Sequence, residues 1–371
     1  MSPIKQNEKI IQLKSMLRSE VKAISPYQAE IDSFKVKINL AGNESPFDLP
    51  AVVKKEFKAC FEQAEINRYP DIYSEKLQQK MAAYLSEELK QKVTADQVIV
   101  GNGSDNILDI LIRAFVNPGD KVLAQAPTFS MYKYFTELSG GEYLAVPLNE
   151  NFNYQSLQKI INQEKPKIIF FCSPNNPTGQ PIARELILKI AELFTGPVIV
   201  DEAYADFSEL NLLSDIKTHP NLAVTRTFSK AFGLAGIRFG YLYGNNALVE
   251  ELKKVLVPYN LNSLTDLLVS VMLDNIEIIK QRVAVIKEQR QLMYQQLNSY
   301  QKWRLYPSMA NFLYIEGQKT TIFKKLLNQH GIKIRSYNSE TPAIRITIGS
   351  AAENEAVLNV FAEFKQLEQE E

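Results

Sequence analysis

Histidine and cysteine are nearly missing from this chain, with two of each in 371 residues. His219 precedes Pro220 and His330 precedes Gly331, positions that suit turns and helix ends. No CxxC or HxxH spacing occurs, so no metal site is expected from this inventory. Cys60 and Cys172 are too few for a disulfide framework, and Cys172 closes the apolar run Ile168-Ile169-Phe170-Phe171, which reads as a buried thiol in a reducing compartment. An excess of either charge is missing too. Lys+Arg and Asp+Glu are both 42, the net charge is zero, and basic residues form pairs such as Lys54-Lys55 and Lys324-Lys325 but no long cluster. Neither nucleic acid nor an anionic membrane is an expected partner. No apolar run approaches the ~20 residues of a spanning helix. Residues 1–21 are charged and amphipathic, unlike a secretory signal. The expectation is a soluble cytoplasmic protein whose proton chemistry rests on side chains other than histidine.

What remains is an ordinary globular composition, 45% hydrophobic and 23% charged, able to bury a large core. Short, near-continuous apolar runs recur at Gln97–Val100, Lys121–Gln125, Gly141–Val146, Lys167–Cys172, Pro197–Val200, Leu222–Thr225 and Phe239–Tyr243. Such runs suit strands covered on both faces. Ile107–Phe115, Tyr154–Gln163 and Arg184–Phe194 carry helical spacing between them. The pattern predicts an α/β fold, a doubly wound, mostly parallel sheet over residues 49–258. From Tyr259 to Tyr306 there is no Gly or Pro, which predicts one long helix broken near Asn298-Ser299. Strands at Asn311–Ile315, Ile332–Arg335 and Ile344–Ile348, a helix at Thr320–Gln329 and a closing helix from Glu353 complete a smaller α+β domain, residues 259–371. Residues 1–48 are expected to pack on it as an arm.

The polar loops fall at the predicted strand ends. Gly101-Asn102-Gly103-Ser104-Asp105-Asn106, Ala126-Pro127-Thr128-Phe129, Ser173-Pro174-Asn175-Asn176-Pro177-Thr178-Gly179, Asp201-Glu202-Ala203-Tyr204 and Thr227-Phe228-Ser229-Lys230 each follow a strand. Open parallel sheets bind ligands outside the carboxyl ends of their strands, so the five loops imply one pocket. The glycine loop alone is either an anion site or a tight turn, and Asn106 occupies the third glycine position of a dinucleotide motif. Asp201 alone is either a partner for a bound cation or a helix N-cap. Lys230 alone would be an ordinary surface lysine. Together with a loop asparagine, a tyrosine after the aspartate and the glycine-flanked Arg238, these are the parts needed to hold pyridoxal phosphate.

The chain resembles the fold-type I pyridoxal-phosphate aminotransferases in Asn175-Asn176-Pro177-Thr178-Gly179, Asp201-Glu202-Ala203-Tyr204 and Ser229-Lys230-x5-Gly236-x-Arg238-x-Gly240. Ser25-Pro26-Tyr27-Gln28, Asn43-Glu44-Ser45-Pro46, Arg68-Tyr69-Pro70 and Ile344-Arg345-Ile346-Thr347-Ile348-Gly349 are similar to the histidinol-phosphate aminotransferase group. The resemblance implies that Lys230 forms an aldimine with the cofactor and moves the substrate proton. It implies that Asp201 pairs with the ring nitrogen, that Asn176 and Tyr204 bond the ring oxygen, and that Phe129 stacks on the ring. Ser104, Asp105, Thr227, Ser229 and Arg238 would surround the cofactor phosphate, with Tyr69 reaching it from the other subunit of a homodimer. Tyr27, Asn43, Arg335 and Arg345 would bind substrate, Arg345 as a carboxylate clamp. Asn106 stands where the group commonly has Glu.

The implied activity is ping-pong transfer of an amino group between L-histidinol phosphate and 2-oxoglutarate, a step of histidine biosynthesis. Aromatic amino-acid aminotransferases share the same motifs, and threonine-phosphate decarboxylases, which are lyases, resemble the chain closely. A DNA-binding regulator on the same fold is disfavoured by the zero net charge and the intact set of motifs.

Overall fold

The near-continuous apolar runs form the central layer of the larger sheet. The computed structural model describes residues 9, 12–26, 34–337 and 340–370. Seven strands, β2 (Val98–Asn102), β3 (Lys121–Ala126), β4 (Glu142–Pro147), β5 (Ile168–Cys172), β6 (Val198–Asp201), β7 (Leu222–Thr227) and β8 (Phe239–Gly244), lie in the order β2-β8-β7-β6-β5-β3-β4. Every residue of β5, β6, β7 and β8 is buried. That accounts for runs with no polar alternation, since helices cover both faces. The strand ends lie within two residues of those expected from the sequence.

β3 to β7 are mutually parallel, whereas β8 is antiparallel to both of its neighbours, β2 and β7. The reversal has a chemical consequence. It places the start of β8, and hence Arg238 just before it, at the same edge as the carboxyl ends of β2, β5, β6 and β7. Gly240 pairs with Gly101 on one side and Thr227 on the other. A Cβ on Gly240 would lie 2.3 Å from the Ser104 nitrogen, so the close approach of β8 to the loop after β2 requires glycine there.

The helices in chain order are α1 (Ala51–Phe61), α2 (Glu75–Leu89), α3 (Ser104–Phe115), α4 (Met131–Leu138), α5 (Tyr154–Glu164), α6 (Arg184–Leu193), α7 (Asn246–Lys253), α8 (Ser263–Leu273), α9 (Ile276–Leu297), α10 (Thr320–Gln329) and α11 (Ala351–Glu370). None among the described residues is long and apolar enough to cross a membrane. The single long helix expected from Tyr259 to Tyr306 is not present. Asn275 interrupts it: its side chain donates back to the Val271 carbonyl and across to Glu56, competing with the helical ladder. α9 then ends at Asn298, where buried Trp303 donates its indole N–H to the Leu297 carbonyl, and the chain leaves as strand β9 (Arg304–Tyr306). The end at Asn298 lies where the sequence predicts a break, whereas the interruption at Asn275 needs neither Gly nor Pro and was not expected.

The smaller sheet has five strands, ordered β1 (Ile38–Leu40), β11 (Ile332–Tyr337), β12 (Ala343–Thr347), β10 (Phe312–Glu316) and β9. β1 enters it parallel to β11, so the N-terminal segment contributes an edge strand. Farther upstream, the short helix Ser19–Ala23 lies against α4, with Arg18 donating to the Leu138 carbonyl 3.2 Å away. The N-terminal arm therefore touches both layers. α9 joins them as well: Arg290 donates to the Ala310 carbonyl, next to β10, and to the Phe207 carbonyl beyond β6.

Gly240→Ala is expected to lower stability by roughly 3 kcal/mol, because the new methyl meets backbone that cannot move aside. Urea unfolding of this variant beside Gly236→Ala, where an added Cβ meets nothing within 4 Å, measures it. Equal midpoints for the two variants would contradict the close approach.

Candidate active site

The carboxyl ends of β2, β5, β6 and β7 and the smaller sheet enclose a cavity of about 520 Å³. Ser104, Asp105, Phe129, Asn176, Asp201, Tyr204, Thr227, Ser229, Lys230 and Arg238 all line it, together with Asn43, Arg335 and Arg345 from the smaller sheet and its approach. Of the residues expected at the site, two stand apart. Tyr69 is 82% exposed and stacks on Tyr259, with ring centroids 4.6 Å apart, outside the cavity. Tyr27 lies outside the described residues.

Asp201 ends β6 at the floor of the cavity and is 3% exposed. Among the described residues its carboxylate accepts hydrogen bonds only from neutral donors, the Tyr132 hydroxyl at 2.6 Å and the Ala203 N–H at 3.1 Å. Burial raises its pKa to about 6, the Tyr132 and Ala203 hydrogen bonds opposing the shift. A buried carboxylate with no hydrogen-bonded cation is costly unless a ligand supplies one. Across the cavity, Lys230 donates to the Gly42 carbonyl at 3.0 Å. Burial, reinforced by Arg345 and Arg238, lowers its pKa to about 8. The amine is therefore far more often neutral near pH 8 than a surface lysine is.

At the opposite end, α3 begins at Gly103 with φ +83° and no side-chain cap, so the first N–H groups of the helix are free to meet an anion. Arg238 is held beside them by Asp105 at 3.2 Å, by Ser229 Oγ at 3.4 Å and by the Ala235 carbonyl at 3.3 Å. Thr227 Oγ1 donates to Ser229 Oγ and accepts from the Ser229 N–H, fixing both hydroxyls at this end. Asn106 turns away from the cavity: its side-chain oxygen accepts from the Asn102 N–H at 3.2 Å, bracing the end of β2. The residue thus buttresses the glycine loop without adding a charge to it.

The smaller sheet closes the site through residues 41–43. Asn43, 1% exposed and at φ +53°, donates from its side-chain amide to the Tyr204 hydroxyl at 3.0 Å, while its backbone and amide oxygen bond Thr347 Oγ1. Tyr204 therefore keeps its own proton for a partner in the cavity. Arg345 donates to Asn176 Oδ1 and to the Ala41 carbonyl, both at 2.6 Å, and lies over the Phe312 ring. That leaves the Asn176 amide N–H groups facing the cavity. Arg335 stands directly opposite Arg345 in the β11–β12 register. Like charges placed so are mutually repulsive, and no carboxylate among the described residues pairs with either.

Reasoning from the sequence placed Thr128 in a pocket loop without a role, and missed Tyr132, Ser130, Cys172 and Tyr337. Ser130, Cys172 and Tyr337 line the cavity, and Tyr132 lies behind its floor. A helical reading of Met131–Leu138 would have placed Tyr132 one turn beyond Phe129, on the sheet side.

The donor set fits pyridoxal phosphate. A buried carboxylate without a cation suits a protonated ring nitrogen, a free helix N-terminus with Arg238 and two hydroxyls suits the phosphate, and a partly neutral lysine lies between the two ends. The chain matches the family described as aminotransferase class I and II over residues 35–361. Histidinol-phosphate aminotransferase of Caldanaerobacter subterraneus subsp. tengcongensis is 37% identical over 356 residues, which cover 95% of this chain and 99% of the relative. That of Pyrococcus furiosus is 35% identical over 351 residues, covering 94% and 98%. Among solved structures, the histidinol-phosphate aminotransferase of Sinorhizobium meliloti in complex with pyridoxal-5'-phosphate has a TM-score of 0.83 at 22% identity, covering 95% of this chain and 98% of that one. The enzyme of Clostridium acetobutylicum has a TM-score of 0.78, also at 22% identity, over 90% of this chain and all of the other. At that identity the two structures speak for the fold.

Acylation of Lys230 by an amine-selective reagent, followed by peptide mapping of the cofactor-free chain, should show a pH midpoint of about 8 instead of the ordinary 10.5. The neutral amine is the reacting form, so a lowered pKa moves reactivity to lower pH. A midpoint near 10.5 would remove the desolvated-amine description.

Proposed function

The chain belongs to the class I and II aminotransferases, and we propose that within them it transfers an amino group between L-histidinol phosphate and 2-oxoglutarate in two half-reactions, the first leaving the amino group on the cofactor. One observation carries the substrate assignment. Arg335 and Arg345 face each other across β11 and β12 on the wall of the cavity that Lys230 enters from the larger sheet, a placement that calls for anionic substrate groups. Histidinol phosphate brings a phosphate, and glutamate brings two carboxylates. The names borne by the relatives agree with this reading.

Pyridoxal phosphate, when bound, supplies an aldehyde that takes up the amino group and a ring that draws electrons from the substrate Cα. The chain does the rest. Lys230 is the base that would carry the proton between the substrate Cα and the cofactor's aldehyde carbon, its low pKa keeping the neutral amine available near pH 8. Asp201 holds the ring nitrogen in its charged form. Tyr204 and Asn176 donate to the ring oxygen, each oriented by a partner outside the ring, Asn43 and Arg345. Phe129 covers one ring face, and its edge-on contact with Tyr132 fixes its tilt. Ser104, Asp105, Thr227, Ser229 and Arg238 anchor the phosphate, so the reacting carbon is placed by contacts at both ends. Arg345 clamps the α-carboxylate of glutamate, and Arg335 takes the more distant anionic group.

A cytoplasmic homodimer belongs to the same proposal. Tyr69 is the residue that would reach the other subunit, and its exposure supports that placement. Exposed Ile66, Ile72 and Val257 lie near it or its stacking partner Tyr259 in the chain, and the Tyr259 N–H bonds the Ile72 carbonyl. This surface suits burial against a second copy.

The visible absorption of the purified, cofactor-loaded protein should be lost on adding L-histidinol phosphate and regained on adding 2-oxoglutarate. Absorption that ignores histidinol phosphate but responds to phenylalanine or tyrosine would replace the substrate with an aromatic one, and release of CO2 would indicate a lyase. Lys230→Ala is expected to fold and to lose turnover. Arg345→Ala should raise KM for glutamate roughly 10- to 100-fold, the value of a charge-assisted pair. Unchanged glutamate kinetics would take Arg345 out of the clamp.

A further inference from the structure

From the Tyr132–Asp201 hydrogen bond we infer that Tyr132, which does not touch the cavity, is a positioning residue that keeps the Asp201 carboxylate ionised and aimed at the bound cofactor. The inference rests on the reading of Asp201 as the partner of the ring nitrogen. Tyr132 is fully buried, stacked on Phe170 with centroids 5.0 Å apart and 9° between planes, and set edge-on to Phe129 at 5.8 Å. Between those two rings its hydroxyl donates to Asp201 Oδ2 at 2.6 Å, with the Cys172 thiol also within its reach. The Ala203 N–H holds Oδ1. With both oxygens restrained, the carboxylate plane is fixed and its remaining lone pairs are left for the cavity.

The groups around Asp201 leave this task to Tyr132. Cys172, its register partner on β5, has a thiol pushed up to about 12 by burial, so it stays neutral. Thr225, its partner on β7, carries no charge. Asp105 at the start of α3 disfavours a second negative charge, whereas Lys230, beyond β7, favours it but gives its hydrogen bond to Gly42. Tyr204, on the same loop as Asp201, is turned to Asn43. The Tyr132 phenol is itself held far above its usual range by burial and by Asp201, so it remains a donor at every working pH.

The consequence is a sign that experiment can read. Cofactor binding needs the ionised carboxylate, so affinity falls as pH drops through the Asp201 pKa. Removing the donor raises that pKa and moves the fall to higher pH. A hydrogen bond to a charged group corresponds to roughly one pH unit or more. The test is equilibrium dialysis of pyridoxal phosphate against the full-length chain between pH 5 and 9, for the wild type, Tyr132→Phe and a chain carrying 2,3-difluorotyrosine at position 132. Free pyridoxal phosphate titrates identically in all three experiments, so differences belong to the protein.

For Tyr132→Phe the expected result is near wild-type affinity at the alkaline end, with the acid limb moved up by about one unit. With the Asp201 pKa at about 6, this amounts to a Kd about fivefold weaker than wild type at pH 6 and about ninefold weaker at pH 5. Difluorotyrosine, a stronger donor of nearly the same volume, should move the limb down. Acid limbs that coincide in all three proteins would overturn the inference, even if Tyr132→Phe melts earlier, because a purely structural role changes stability and not the limb. If Tyr132→Phe does not fold, the difluorotyrosine chain alone decides: a lowered limb supports the role and an unmoved limb removes it. A wild-type chain that binds no pyridoxal phosphate at any pH would instead sink the underlying cofactor reading.

Discussion

The buried carboxylate of Asp201 is the constraint around which the rest is arranged. A negative charge at the end of a strand with no solvent on any side is tolerable only with donors on its oxygens and a cation to complete it. The donors come from helix α4 and from the turn after β6, and the cation is left for a ligand. The charge can sit there only because β5, β6 and β7 are buried along their whole length, so that the end of β6 opens into the cavity and not into water. Its neighbour Glu202 solves a different problem: it points the other way and forms a two-pronged pair with buried Arg226. One acid faces the ligand, and the next ties β6 to β7.

The second organising element is the stretch Ala41–Asn43, between β1 and the large sheet. Three groups of the candidate site depend on it at once: Arg345 through the Ala41 carbonyl, Lys230 through the Gly42 carbonyl and Tyr204 through the Asn43 amide. Asn43 is anchored in turn by Thr347 on β12 and by Asn311 beside β10. Displacement of the smaller sheet would therefore be felt directly at the lysine and the tyrosine. The joint between the two sheets is part of the site, not merely its support.

Charge separation explains the layout of the cavity. Arg238 and the start of α3 make one electropositive end, Arg335 and Arg345 make another, and Lys230 lies under the influence of both. Burial, reinforced by that field, lowers the affinity of the lysine for its proton, and the field attracts anionic groups of cofactor and substrate. A chain with zero net charge thus gathers four cationic side chains against two carboxylates around one cavity by placement alone.

By itself the sequence determined the large sheet, its helices α3, α5 and α6, and the set of cavity residues after each strand. Those features are local: apolar runs set the strands, and polar loops at their ends must share one edge when the strands are parallel. The break near Asn298 was legible, but composition could not show that Asn275 stops the preceding helix, because it acts through hydrogen bonds. Nor could it show that β8 runs backwards and so carries Arg238 to the phosphate end, or that Asn106 turns aside to brace Asn102. Tyr132 carries no sequence signal beyond its helical spacing from Phe129; only the stacking of α4 on β5 aims its hydroxyl at Asp201. Residue identity and local periodicity supplied the chemical parts, and the long-range contacts, which depend on how distant strands and helices come together, decided which of those parts face one another.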